Sequence, residues 1–223
     1  EIRLSLVGSE MCIRDSFLYY GKEIWESAAA ALLCGEHLLL AGPKATGKNV
    51  LAENLAAVFG RPNWDVSMYV NVDAASLIGA DTLKDGKVVF REGPICQCAR
   101  LGGFGVLDEV NMAKNEALAV LHATLDFRRV IDVPGYERIE LDPATRFIGT
   151  MNYGYAGTRE LNEALVSRFV VLDMPVISED NLQKLLRRGF PELSTKWVEQ
   201  FSALFRDCLL YTSDAADERS SVD

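Results

Sequence analysis

The sequence predicts an α/β fold, a parallel sheet packed between helices, and three observations predict it. An apolar run, Leu38-Leu39-Leu40-Ala41, enters a glycine-rich turn, Gly42-Pro43-Lys44-Ala45-Thr46-Gly47-Lys48-Asn49, and a helix-like stretch from Asn49 to Phe59 leaves it. A second apolar run, Phe104-Gly105-Val106-Leu107, ends in two acids, Asp108 and Glu109. Along the rest of the chain, short apolar runs alternate with helical periodicity, the pattern of strands joined by helical crossovers.

In chain order, Phe17 to Cys34 carries Ile24, Trp25, Ala28, Leu32 and Leu33 at helical spacing, and Gly35 is a C-cap signal. His37 to Ala41 follows as a buried strand. The helix after the glycine turn is expected to bury Val50, Leu51, Leu55 and Val58. Ser67 to Val72, with Met68, Tyr69 and Val70, reads as a second strand, and Ala74 to Gly79 as a short helix. Asp85-Gly86 between strand-like flanks predicts a hairpin over Leu83 to Phe90. Gly93 to Leu101 is helical, and Phe104 to Glu109 is the acid-ended strand. Ala113 to Phe127 is a helix with Leu118, Leu121 and Leu125 inward. Val130 to Ile139 alternates around Pro134-Gly135 as a second hairpin. Arg146 to Asn152 is a strand, Leu161 to Val166 a short helix, and Phe169 to Asp173 a strand closed by Pro175. Ser178 caps a helix to Arg188, with Leu182, Leu185 and Leu186 apolar, and Leu193 to Phe205 is another. The core is expected over 17–175, and 176–207 as the start of a truncated helical lid.

The glycine turn carries the chemistry. Strand, G-x-x-x-x-G-K loop and helix together make a phosphate cradle, in which backbone N–H groups turn inward and the helix N-terminus faces the anion. Gly42, Pro43, Lys44, Ala45, Thr46, Gly47, Lys48, Asn49 and Val50 are the expected nucleotide contacts, with Lys48 a point charge for the β- and γ-phosphates. The next position ordinarily holds Ser or Thr for Mg²⁺; here it is Asn49, whose amide oxygen is also a hard donor. Asp108 and Glu109 fall at the carboxyl edge of the sheet, where open α/β folds bind ligands. Asp108 is assigned to the Mg²⁺ shell and Glu109 to orienting the attacking water as a base. A helix-start acid pair, favoured by the dipole, is the plain alternative. Asn152 ends its strand on the same edge, and it can hydrogen-bond a γ-phosphate or the water, or serve as a turn asparagine.

The two ends read as sequence scars. One encoding of Met11 to Asp15, read on the opposite strand and one base out of phase, encodes Cys208-Leu209-Leu210-Tyr211-Thr212. Residues 1–16 and 208–223 therefore resemble translated sequencing adapter, two natural tails being the alternative, and the part between is expected to be a fragment. The formal charge of −9 includes −1 from residues 1–16 and −3 from residues 208–223, leaving −5 for the rest. That mild acidity argues against broad non-specific nucleic-acid binding. Cys34, Cys96 and Cys98 read as structural or incidental thiols, consistent with a reducing cytosol, because Cys96-Gln97-Cys98 has no second ligand pair. No signal or membrane-spanning run is visible, and the expected location is cytoplasmic.

Taken in order, Gly42-Pro43-Lys44-Ala45-Thr46-Gly47-Lys48-Asn49, Gly105-Val106-Leu107-Asp108-Glu109-Val110-Asn111, Phe147-Ile148-Gly149-Thr150-Met151-Asn152 and Leu161-Asn162-Glu163-Ala164-Leu165-Val166-Ser167-Arg168-Phe169 resemble the MoxR-like, dynein-related branch of the AAA+ ATPases over nearly all of Phe17 to Asp207. The resemblance implies a P-loop fold with a five-stranded parallel sheet, ATP with Mg²⁺, and a hexameric ring that remodels a protein client. It implies that Asn152 stands at the sensor-1 position and Arg168 at the arginine finger, which reaches a neighbouring subunit's nucleotide; a surface salt-bridge arginine is the plain alternative for Arg168. It places the two hairpins where the family carries pore-facing insertions, and it implies a partner with a von Willebrand factor A domain. The catalytic set so assigned is Lys48, Glu109, Asn152 and Arg168. Two rival functions stand beside it: a nucleotide-gated binding module with little hydrolysis, motivated by Asn49, and a nucleic-acid-directed NTPase like McrB.

Overall fold

The computed structural model describes residues 18–133, 135–153 and 161–220, and the side chains of residues 18–208 among them outside those gaps. Its elements in chain order are α1 (Lys22–Leu33), β1 (Leu38–Gly42), α2 (Lys48–Phe59), β2 (Asn63–Ser67), α3 (Ala74–Ile78), β3 (Gly79–Lys84), β4 (Lys87–Glu92), α4 (Pro94–Leu101), β5 (Phe104–Asp108), α5 (Asn115–Leu118), α6 (His122–Leu125), β6 (Val130–Ile131), β7 (Ile139–Glu140), β8 (Arg146–Asn152), α7 (Glu163–Val166), β9 (Val170–Asp173), α8 (Glu179–Gly189) and α9 (Thr195–Ser220).

Five strands form one sheet in the order β2-β5-β8-β1-β9, and every pairing in it is parallel. Strand β1 is buried at all five positions, which is why it reads as an unbroken apolar run. Its alternate side chains feed two cores. Leu38 and Leu40 join Phe104, Val106 and Ile148 against α1 and α2, while Leu39 joins Leu107 and Phe147 against α3, α4 and the segments after β5. The sheet is thus sandwiched, and the carboxyl ends of β1, β5 and β8 share one edge. Register fixes that edge: Gly42 lies beside Asn152, and Leu107 beside Gly149.

Helix α1 ends as the sequence predicts. Gly35 takes φ +97°, and the Glu36 and Gly35 N–H groups return to Ala31 and Leu32, a Schellman arrangement. The first hairpin is the pair β3–β4 with Asp85 and Gly86 both at positive φ, the turn that an Asp-Gly dipeptide favours. The second, β6–β7, is only two residues deep on each side; Pro134 lies outside the described residues. Ser178 caps α8 by accepting from the Asn181 N–H. Two hydrogen bonds seat the chain ahead of α1. The Tyr19 N–H donates to Asn54 Oδ1 on α2 at 2.9 Å, and Asn181 Nδ2 on α8 donates to the Tyr20 carbonyl at 3.0 Å.

Several expectations need correction. The second strand is Asn63–Ser67 and not Ser67–Val72. It lies at the sheet edge, where Asn63 and Asp65 face out and Trp64 and Val66 pack inward, so its apolar content is half that of a central strand. Tyr69 and Val70 are exposed, and the chain turns there with the Val72 N–H on the Tyr69 carbonyl. On α2 the buried stripe is Leu51, Ala52, Leu55 and Ala56; Val58, in the last turn, continues the line of Leu51 and Leu55 but is exposed. The expected helix from Ala113 to Phe127 is broken into α5 and α6 with 3₁₀ turns between. Thr124 contributes by donating to the Val120 and Val130 carbonyls, an internal bond that bends helices. The last helix extends to Ser220, well past Phe205. Residues 1–16 lie outside the described residues.

Candidate active site

The glycine loop leaves β1 at Gly42, whose place is fixed by packing. A Cβ there would stand 2.8 Å from the Met174 carbonyl oxygen, backbone that cannot swing aside. The loop then turns through left-handed backbone at Ala45 (φ +61°) and Gly47 (φ +82°), and Gly47 is the N-cap of α2. Left-handed residues in succession with helical ones turn N–H groups to one side, the geometry of an anion nest. Sequence spacing singles out the two glycines; the left-handed Ala45 is visible only in the structure.

Lys48 is buried and folded back over this loop. Its ammonium donates to the Gly42 carbonyl (3.0 Å), the Pro43 carbonyl (2.7 Å) and Thr46 Oγ1 (3.2 Å). All three donors are thereby used. Burial lowers its pKa, and the opposing charges of Asp108 and Glu109 act to raise it. The positive end of the cradle therefore faces the acid pair across the loop.

The acid pair is tied into the site by a short chain of bonds. Asn49 Nδ2 donates to Asp108 Oδ1 at 3.0 Å, so the first turn of α2 reaches the end of β5. Thr150 Oγ1 donates to the same Asp108 oxygen at 2.7 Å and accepts the Glu109 N–H at 3.0 Å. Asn152 Nδ2 donates to Glu109 Oε1 at 2.9 Å. Asn111 Nδ2 donates to the Asn152 carbonyl at 2.8 Å, and the other amide atom of Asn111, Oδ1, is buried without a partner among the described residues. Glu109 itself is left-handed, φ +55° and ψ +50°, which costs a non-glycine residue about 1–2 kcal/mol.

Lys48, Asn49, Asp108, Glu109 and Asn152 thus gather at one sheet edge. Arg168 does not join them. Its guanidinium is turned within the chain, donating to the His122 carbonyl at 3.1 Å and to the Ala164 carbonyl, with Asp126 at 3.5 Å. Asp126 also pairs with Arg128 at 2.6 Å, and these bonds hold its carboxyl down at about 2. Thr150 and Asn111 are the site residues the motif reading missed. The signal for Thr150 was the two-residue period of β8, which puts it on the same face as Asn152 and beside Asp108.

The donor set fits a nucleotide-bound magnesium ion. It supplies oxygen, with one carboxylate, and Mg²⁺ is commonly held by one or two carboxylates while phosphates and water fill its shell. Among the described residues no group of three or more His, Cys, Asp or Glu side chains could hold a metal ion by itself. Cys96 and Cys98 are buried, and burial pushes both thiols up to about 12, so they stay protonated and inert.

Comparison with known proteins decides the family. The model of the AAA domain (dynein-related subfamily) matches residues 37–169. The chain belongs to that family. The match runs from the residue before β1 to the residue before β9, so it takes in the loop, the acid pair, Asn152 and Arg168 of this AAA domain. Among curated relatives, the AAA chain is 34% identical over 202 residues to the uncharacterized protein YojN of Bacillus subtilis, covering 87% of this chain and 66% of that one. It is 35% identical over 182 residues to the uncharacterized protein SH1500 of Staphylococcus haemolyticus, covering 79% and 69%. A crystal structure of a protein assigned as an ATPase from Cytophaga hutchinsonii superposes with TM-score 0.65 at 19% identity, over 84% of this chain and 58% of that one, a likeness of fold. The chain therefore spans about two thirds of YojN's length.

Proposed function

We propose that this AAA domain is the ATP-hydrolysing core of a MoxR-type ring that remodels a protein client. The observation that carries the reading is the bond from Asn152 to Glu109, set one strand-edge from the Lys48 loop. In this reading Lys48 exchanges its loop carbonyls for β- and γ-phosphate oxygens. Asp108 and Asn49 would hold Mg²⁺, which would neutralise charge on the phosphates. Water attacks the γ-phosphorus in line; Glu109 takes its proton, and the bond to the β-phosphate oxygen breaks. Asn152 orients Glu109 or the water. Arg168 of a neighbouring copy meets the transition-state charge, which requires it to leave the contacts it makes within its own chain. A hexameric ring, a von Willebrand factor A partner and a cytoplasmic location come to the proposal from the family resemblance. Among the described residues no helix is long and apolar enough to cross a membrane.

The test is ATP turnover of the intact protein against Glu109→Gln. Turnover should fall at least about a hundredfold while binding of a fluorescent ATP persists, since base removal costs roughly 10²–10⁴. Equal turnover would sink the role of Glu109.

A second reading, a nucleotide-gated binder with little hydrolysis, is favoured by one observation: the amide of Asn49 is engaged with the carboxylate expected to hold the metal. It predicts that Asn49→Thr gains turnover about tenfold, a cation-ligand effect on the order of 1–2 kcal/mol. A variant no faster than its parent removes this reading.

A further inference from the structure

We propose that Thr150 is the positioning residue of the acid pair, and that its one hydroxyl sets both carboxylates at once. The inference rests on the proposed ATPase reading for its consequence, but on this chain's own bonds for its content.

Three observations carry it. Thr150 is buried in the middle of a sheet strand, so its hydroxyl has no water to fall back on. That hydroxyl is used in both senses: the proton goes to Asp108 Oδ1 at 2.7 Å, and the oxygen receives the Glu109 N–H at 3.0 Å. The first bond is charge-assisted and fixes the rotation of the Asp108 carboxylate, leaving one of its oxygens committed. The second falls on the only backbone donor of a residue held at positive φ. Relaxing Glu109 to ordinary backbone would swing its side chain away from Asn152 Nδ2, 2.9 Å from Oε1. One hydroxyl therefore orients the acid assigned to the cation directly, and the acid assigned to the water through its backbone.

Neighbouring bonds support the division of labour. Asn49 Nδ2 shares the same Asp108 oxygen, so Thr150 and Asn49 grip it from β8 and from α2. Asn111 ties the Asn152 carbonyl to the turn after β5, which keeps Asn152 level with Glu109. Thr150 lies between these ties, two residues from Asn152 on one strand face. Valine has nearly its shape and neither hydrogen-bonding function, whereas serine keeps both.

The experiment compares the 223-residue chain with Thr150→Val and Thr150→Ser. Three readouts separate positioning from mere support. Amide exchange at Glu109, followed by NMR, should speed at least about tenfold in Thr150→Val and return to the parent rate in Thr150→Ser, the loss of one buried charge-linked bond being worth that much or more. The Mg²⁺ concentration giving half-maximal binding of a fluorescent ATP should rise about tenfold in the valine variant, while binding of the same nucleotide in EDTA stays within about twofold. In steady state kcat should fall by about tenfold or more with KM within about twofold, the signature of an interaction lost in the transition state. If Thr150→Val does not fold, Thr150→Ala takes its place with the same expectations. A folded valine or alanine variant with parental Glu109 exchange and parental Mg²⁺ dependence overturns the proposal, as does a serine variant as impaired as valine. Glu109→Gln run alongside keeps the two ideas apart: if it turns over like the parent, the ATPase assignment fails, while Thr150 is still judged on exchange and Mg²⁺ dependence.

Discussion

His37 is expected to make this fold acid-sensitive by about 2 kcal/mol between pH 7.5 and pH 5. The ring is buried at the entry to β1, against Phe147 with centroids 5.5 Å apart, and its Nδ1 accepts the Phe147 N–H at 3.0 Å. The accepting nitrogen carries no proton, so the ring is neutral with hydrogen on Nε2. Burial lowers its pKa from 6.5 to about 3, and the charges of Arg129 and Arg146 push the same way. In the window from about pH 6.5 to about pH 3, the unfolded chain binds a proton here that the folded chain refuses. Stability is then lost as pH falls, at about 1.4 kcal/mol per unit. From pH 7.5 to pH 5 about one and a half units of that window are crossed, giving about 2 kcal/mol. Other carboxylates contribute their own acid loss, so the measurement is a difference. Urea unfolding of the parent and of His37→Asn at both pH values isolates the ring, since Asn keeps an acceptor near the Nδ1 position without titrating. The asparagine variant should lose about 2 kcal/mol less on acidification. Equal losses in the two proteins would show that His37 is charged, or solvated, in the folded state.

Two further outcomes follow from packing and from charge. Gly42→Ala should cost about 1–3 kcal/mol in urea unfolding and weaken nucleotide binding, because its Cβ meets the Met174 carbonyl and the loop or β9 must shift; a neutral substitution would show that the two strands part easily. Arg168→Ala, mixed with Glu109→Gln, should recover part of the turnover that each variant lacks alone, since a neighbour's finger can serve a site that keeps its own base. Mixtures no faster than the variants apart would mean that Arg168 acts within its own chain, on the Asp126 and His122 contacts seen here.

Spacing was enough to locate the loop, the acid pair and Asn152, because their chemistry is written in consecutive residues. Strand β8 was read to the residue, since it is central and buried from Phe147 to Thr150. Strand β2 was misplaced because an edge strand needs only Trp64 and Val66 inside, while the more apolar Met68 to Val70 lies in the turn after it. Thr150 and Asn111 escaped because their partners lie 41 or 42 residues away; the two-residue period of β8 sets Thr150 on the Asn152 face, and the pairing of β8 with β5 brings Asp108 to it. The left-handed Ala45 and Glu109 escaped for a related cause: neither residue type announces positive φ, and each is held there by its surroundings. Arg168 was assigned by likeness to the family, and its bonds to His122, Ala164 and Asp126 within the chain are ones likeness could not supply.

The short stretch ahead of α1 has an outsized mechanical bearing. Tyr19 clasps Asn54, on the helix that issues from the phosphate loop, and Tyr20 receives Asn181, from the helix after β9. The dipeptide joins the two helices by one hydrogen bond each, so a shift of α8 would bear on the middle of α2 through Asn181 and Asn54. Trimming the chain to begin at the first helical residue would remove both bonds, and with them the Tyr19 ring that lies against Gly47 of the loop.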